Sequence, residues 1–285
     1  PDVPQFVWLL AFIALTTVIN ILGLKLATAV NILLLLLQVL ILAAFIVLCV
    51  HYTLGDPSKP LFTLAPFASG GVQWGMIMSG AAIACYSYLG FDAVSTLTEE
   101  THDPERTMPR AILWVTLIGG LIFVGTSYVV QLAQPSLQFA NVDSAAYEIA
   151  KNIGGDLFVS IFLIGLVIGQ FTSGIAAQAS GSRLLYVLGR DAVLPKAFFG
   201  YLSPRFGTPV GCILLSAVVA LLALKMDVTT STSFINFGAF LTFILVNLSV
   251  IFHYWIGQKR RGAGAAVLYL LLPLAGILAD LWLMF

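Results

Sequence analysis

Long uninterrupted apolar runs separated by short polar stretches make up most of the chain, without the strict period-two alternation of half-buried strands. About eight of these runs approach the roughly 20 residues that a helix needs to cross the hydrocarbon core of a bilayer. Their limits fall near Gln5 to Leu24, Ala27 to Val50, Val72 to Leu97, Ala111 to Ala133, Leu157 to Ala179, Pro209 to Lys225, Ser233 to Ile256 and Ala265 to Phe285, the sixth being the shortest. A helix satisfies its own backbone hydrogen bonds in lipid, and runs that do not alternate argue against a barrel. The expected fold class is therefore all-α, with about eight transmembrane helices by the length criterion.

The polar connections then give a direction. If the first of them is cytoplasmic, alternation places Lys25, Arg106, Arg110, Arg183, Arg190, Lys196, Arg205, Lys259, Arg260 and Arg261 on one side and leaves only Lys59, Lys151 and Lys225 elsewhere. A miscounted span would flip every later connection, so this bias supports both count and orientation, with both visible ends on the outer face. The segment from Asn141 to Ile153 is too polar to cross and reads either as a short outer helix or as a solvated loop. From Arg183 to Phe206 apolar and basic residues alternate as they do in an interfacial helix. No connection is long enough to enclose a soluble domain.

Composition narrows the classes further. Sixty per cent of the 285 residues are hydrophobic and nine per cent charged, and the mean hydropathy is +1.01, a balance foreign to soluble domains. Thirteen basic and thirteen acidic residues cancel, so no basic field points to nucleic acid. Cys49, Cys85 and Cys212 lie in apolar runs and form neither a disulfide framework nor a metal-ligand spacing. The chain opens at Pro1 without an initiator Met and stops at Phe285 inside an apolar run, so truncation at both ends is expected.

Ionisable residues inside a membrane are costly and mark function by default. Asp92 is the clearest, in the run Ala84-Cys85-Tyr86-Ser87-Tyr88-Leu89-Gly90-Phe91-Asp92 of the third span. Gly90 lowers helix propensity by about 1 kcal/mol relative to Ala, and its polar and aromatic neighbours suit the wall of a cavity. A break there leaves free carbonyls upstream and free amides downstream. Asp92 then has two open roles: an N-cap accepting from the amide of Val94 or Ser95, or a countercharge for a cationic solute or proton. In the fifth span Gly165, Gly169, Ser173, Ala177 and Gly181 recur every four residues. Such a stripe either admits a neighbouring helix closely or lines a solute path, and at 3.6 residues per turn it winds slowly about the axis. Asp280, His51 and His253 are weaker candidates. Zinc-protease, nucleophile-elbow and phosphate-loop signatures are missing, and Gly154-Gly155-Asp156 is not a membrane aspartyl protease motif. The chain reads as no enzyme, and no cofactor or metal is implied.

Two blocks carry a family resemblance. GFDAVSTLTEETHDPERTMPRA strongly resembles the signature of the amino acid, polyamine and organocation permeases, and SRLLYVLGRDAVLPKAFFGYLSPRFGTPV resembles that superfamily's cytoplasmic segment after its eighth span. A third, INFGAFLTFILVNLSVIFHYW, is similar to the bacterial putrescine importers within it. The resemblance implies one permease domain over residues 1–285 with a partial inverted-repeat, leucine-transporter-like fold. Residues 1–54 would close the first repeat, 72–256 form the second and 265–285 begin the terminal helix pair, with the family's first three spans and final span absent. It further implies alternating-access import of a small organic cation such as putrescine, coupled to protons as a symport, in the bacterial inner membrane; an amino acid permease is the nearest alternative, and a scaffold or membrane enzyme the alternative from another class. Tyr86, Tyr88, Gly90, Phe91 and Asp92 fall where relatives contact and gate solute. Gln38 stands where some relatives carry a Lys thought to couple protons, and Ala177 where arginine antiporters stack a Trp on substrate, so neither device is expected here.

Overall fold

The computed structural model describes residues 4–57, 60–64, 66–67, 74–134, 139 and 144–284. All regular structure among them is helical: α1 (Gln5–Leu22), α2 (Leu24–Leu54), α3 (Trp74–Cys85), α4 (Pro104–Ala133), α5 (Ala145–Arg190), α6 (Lys196–Phe199), α7 (Val210–Ala220), α8 (Val228–Val250), α9 (Ala263–Ala266) and α10 (Leu272–Met284). Tight 3₁₀ segments occupy Tyr86–Tyr88, Phe91–Glu100 and Leu221–Lys225, and wide π turns occupy Ile251–Gly257 and Val267–Leu271. Six stretches are long and apolar enough to cross a bilayer: Leu26–Leu54, Trp74–Glu99, Pro104–Ala133, Ala145–Arg190, Thr229–Gly257 and Ala263–Met284. The first and sixth expected spans form the shorter apolar helices Phe6–Leu22 and Val210–Lys225. Gly23 alone separates α1 from α2, and Pro209 delays the start of α7.

The chain forms two compact units, Pro1–Ser69 with Gly90–Leu224, and Gly70–Leu89 with Lys225–Phe285. In the first unit α5 packs along α2 and against α1 and α7. Lipid tails are as apolar as leucine, so such contacts rest on close fit and hydrogen bonds rather than on expulsion of water. The fit is made by glycine: a Cβ at Gly165 would stand 2.9 Å from Ile41 Cγ2, one at Gly169 2.7 Å from Gln38 Nε2, and one at Gly174 2.8 Å from Phe12 Cζ. The four-residue stripe therefore holds only in part. Ser173 and Ala177 are exposed, because a step of four overshoots the turn and carries the stripe off the seam, where Gly174 replaces it.

Toward the other end of this seam Phe45 stacks at 6.3 Å on Phe158 and lies 4.9 Å from Phe162. The cluster also buries Cys49, Ala133, Ile149, Ala150 and Val159. The segment Ala145 to Gly154 is helical, and a bend at Gly155, with φ 70° and ψ −169°, joins it to the rest of α5. That backbone is open to glycine and strained for other residues. The segment is therefore helical from Ala145 onward, while residues 141–143 lie outside the described residues. At the opposite end the stretch from Arg183 to Phe206 is not one helix: α5 continues to Arg190 and the four-residue α6 follows. Gly189 is buried and abuts Phe199 and Gly200, which docks α6 on the end of α5, while Leu184, Val193, Phe198 and Tyr201 stay exposed.

A buried polar network ties three helices of the same unit. Asn20 Nδ2 donates to Gln178 Oε1 at 2.9 Å and to the Ile175 carbonyl at 3.2 Å. Gln178 Nε2 in turn donates to Thr17 Oγ1 at 2.9 Å and to the Ile213 carbonyl at 3.4 Å. Each amide is thus satisfied across helices, where an unpaired one would cost about 1–3 kcal/mol.

In the second unit α8 and α10 pack closely, and a Cβ at Gly276 would lie 2.9 Å from Asn247 Nδ2. Asp227 caps α8, accepting from the Thr230 amide at 3.4 Å. Hydrogen bonding from the Thr230 side chain, then from backbone amides of that turn, holds its carboxyl below the usual range. Helix α3 packs on α10.

Candidate functional site

The third span is where the sequence places its chemistry, and its helix is broken. Helix α3 ends at Cys85, a single 3₁₀ turn covers Tyr86–Tyr88, and Leu89 is extended with φ −60° and ψ 133°. Gly90 follows in the left-handed region at φ 105°, and a ten-residue 3₁₀ segment runs from Phe91 to Glu100. Runs of 3₁₀ structure beyond three or four residues are uncommon and mark strain or a hinge. Its composition explains this one. Ser95 Oγ donates to the Asp92 carbonyl at 2.6 Å and Thr96 Oγ1 to the Ala93 carbonyl at 2.7 Å, so side chains compete for the acceptors of the backbone ladder.

The geometry corrects one of the two readings of Asp92. The cap position belongs to Gly90, whose carbonyl accepts from the Ala93 amide at 3.1 Å, and Asp92 sits within the first turn. The left-handed φ needed at the break selects glycine and sets the start of the second half ahead of the acid. Asp92 and Gly90 are exposed and Phe91 is half-buried. In the other compact unit Tyr86 is 42% exposed and Tyr88 half-buried, and the turn they form packs on α8.

Two residues beside the upstream half carry polar chemistry that sequence reasoning missed or discounted. Asn236 of α8 donates through Nδ2 to the carbonyl of Ala82, in the last turn of α3, at 3.4 Å. Its Oδ1 is buried and accepts no hydrogen bond among the described residues. Asp280 of α10 is half-buried within electrostatic reach of Cys85, the last residue of α3. A lone Asn or Asp in an apolar run was the available signal; which helix end each meets is a tertiary fact.

The first unit also has an open cleft of about 860 Å³, a volume within the usual range for small-molecule sites. Ser95, Thr96 and Glu99 of the 3₁₀ segment, Arg183 and Tyr186 of α5 and Thr208 are among its lining residues, and the five predicted site residues are not. Beside it Arg190 Nη1 lies 2.9 Å from Glu99 Oε1, and Arg190 Nε lies 3.0 Å from Asp191 Oδ1. This pairing ties the end of the 3₁₀ segment to the end of α5. No group of three or more potential metal ligands occurs among the described residues.

Six stretches long and apolar enough to cross a bilayer make this a multi-pass membrane protein. The chain belongs to the amino acid permease family, whose model it matches over residues 2–285. It is 40% identical over 281 residues to the low-affinity putrescine importer PlaP of Escherichia coli (strain K12), covering 98% of this chain and 62% of that protein. It is 27% identical over 251 residues to the branched-chain amino acid permease BcaP of Bacillus subtilis (strain 168), which covers 88% of this chain and 51% of the permease. It is 29% identical over 240 residues to a methylthioribose transporter of the same organism, which covers 84% of this chain and 50% of the transporter.

Proposed function

We propose that the protein is a secondary active transporter importing a small organic cation, putrescine or a related polyamine, across the bacterial inner membrane by alternating access, as a proton symporter. In this reading α1 and α7 complete eight membrane passages of a partial inverted-repeat fold. Residues 1–54 close one repeat, 72–256 form the next and 265–285 open the terminal pair.

The observation that carries the proposal is the broken third span with an acid in the first turn of its second half. The amide end of a helix favours anions, so an amino acid can dock its carboxylate there, whereas a diamine brings only positive charge. A diamine site needs acids, carbonyls and aromatic faces. Asp92 supplies the acid, the upstream half ends in carbonyls, and Tyr86 and Tyr88 supply rings able to face an ammonium group. Gly90 and Phe91 complete the proposed set. Gln38 fits the same reading, since a Lys at that position would repel a dication. The likeness to a putrescine importer supports this reading, while the likeness to a branched-chain amino acid permease favours the alternative of an amino acid substrate.

Uptake of labelled putrescine and of labelled branched-chain amino acids by the complete protein separates the two. Asp92→Asn is expected to weaken putrescine uptake about ten- to a hundredfold in affinity, the equivalent of losing one charge-assisted hydrogen bond of about 1.5–3 kcal/mol. Unchanged affinity in a well-expressed Asp92→Asn protein removes Asp92 from the site.

A further inference from the structure

Three consecutive cations, Lys259, Arg260 and Arg261, lie between α8 and α9. None of them pairs with a carboxylate among the described residues. The turn is nonetheless built. Lys259 is left-handed at φ 50°, and the Arg260 amide donates to the Tyr254 carbonyl at 3.1 Å. The two flanking π turns pack together and stack Tyr254 on Tyr269 with centroids 4.7 Å apart and planes at 22°. The Arg260 guanidinium lies 5.3 Å and 5.7 Å from these two ring centres and donates Nη1 to the Tyr269 hydroxyl at 3.2 Å. The Arg261 guanidinium lies 4.2 Å from the Trp255 ring.

A connection that only needed positive charge for orientation could leave its arginines loose. Here aromatic faces hold both guanidiniums, and four of the five N–H donors of Arg260 remain for another acceptor. In the same two turns Phe252, Ile256, Val267 and Leu268 expose apolar side chains. Tyr and Trp at the end of a span belong at headgroup level. Cations held on amphipathic rings, close in sequence to exposed apolar side chains, offer partners for the phosphate, glycerol and acyl chain of a phospholipid. By the distribution of Lys and Arg this turn faces the cytoplasmic leaflet, whose anionic lipids attract such clusters.

We propose that the α8–α9 turn is a binding site for an anionic phospholipid of the cytoplasmic leaflet, its phosphate held by Arg260 and Arg261 with Lys259 adding charge. The exposed apolar side chains of the same turns favour a lipid over a free phosphate.

The test is retention of matched-chain phosphatidylglycerol against phosphatidylcholine by the complete, purified and delipidated protein, read by native mass spectrometry. The wild type is expected to prefer phosphatidylglycerol by about tenfold, on the order expected for two interfacial cations. The Arg260→Gln, Arg261→Gln double variant should bring the two lipids within about twofold of each other, at the same scale of effect. If the double variant does not purify folded, Arg261→Gln alone should halve the preference or more. Equal retention of the two lipids by the wild type, or a preference unchanged in the variants, overturns the site. Displacement of phosphatidylglycerol by glycerol 3-phosphate at equal concentration overturns the lipid as its ligand. None of these readouts depends on what the protein transports.

Discussion

Glycine does opposite work in the two most informative regions of this chain. Along the seam of α2 and α5, Gly165 and Gly169 keep ordinary helical backbone and matter for the side chain they lack, since a Cβ would press on Ile41 or Gln38. In the third span Gly90 has nothing within 4 Å of where a Cβ would stand, and what matters is its backbone at φ 105°. The first use lets two helices lock; the second lets one helix come apart. Neighbouring residues agree with each use. The seam is flanked by Phe158, Phe162 and Ile175, all buried, whereas the broken span carries Ser95, Thr96 and Thr98, which bond back onto their own backbone. A rigid half and a hinge can therefore be told apart by what each glycine meets.

The largest effect is expected on the seam. Gly165→Leu would drive a branched side chain into Ile41, and overpacking of this kind costs about 1–3 kcal/mol or more where neither backbone can move. Thermal unfolding of the purified protein in detergent should show the loss, and Ser173→Leu, at an exposed position four residues beyond Gly169, should leave the transition in place. Equal destabilisation by both substitutions would mean that the seam extends further than the contacts indicate.

At the break the expected cost is smaller and different in kind. Gly90→Ala meets no atom, so its penalty is the strain of a left-handed non-glycine residue, about 1–2 kcal/mol. Because that strain is relieved by straightening the span, the variant should favour a continuous helix through residues 85–91. Slower hydrogen exchange of the Leu89 to Ala93 amides in the variant than in the wild type would register the shift; unchanged or faster exchange would count against Gly90 as the element that keeps the helix open.

How far these regions could be read beforehand follows from how local their causes are. The break was legible because its signals, Tyr86, Ser87, Tyr88 and Gly90, fall within five residues. The choice between the two roles of Asp92 was not legible, because a cap is set by backbone φ, and the residue that supplies φ 105° stands two positions earlier. The glycine stripe was legible as packing, yet a four-residue spacing cannot stay on one face of a 3.6-residue helix, and Ser173 falls outside it. The two shorter helices, Phe6–Leu22 and Val210–Lys225, read as spans from composition alone. Asn236 on the Ala82 carbonyl and Arg190 on Glu99 join residues 154 and 91 positions apart, and no single-sequence pattern reports such pairs.

The smallest expected effect concerns the far end of the broken span, and it sharpens the contrast between lock and hinge. Arg190 joins Glu99 to Asp191 on the surface, with a side chain 40% exposed against 62% for Glu99. Exposed ion pairs lose much of their attraction to water and to the entropy of long side chains, so removing this one should hardly change global stability. Its consequence is positional: it is an ionic tether from the end of the 3₁₀ segment to the rigid α5. Glu99→Gln, Arg190→Gln and the double variant form a cycle in which the coupling, read from the hydrogen exchange of the Thr96 to Glu100 amides, should be present in dilute buffer. Near 1 M salt, where charges are screened over about 3 Å, it should fade. A coupling that persists undiminished at high salt would show that packing, not charge, holds the segment. The second half of the broken span would then belong with the seam rather than with the hinge.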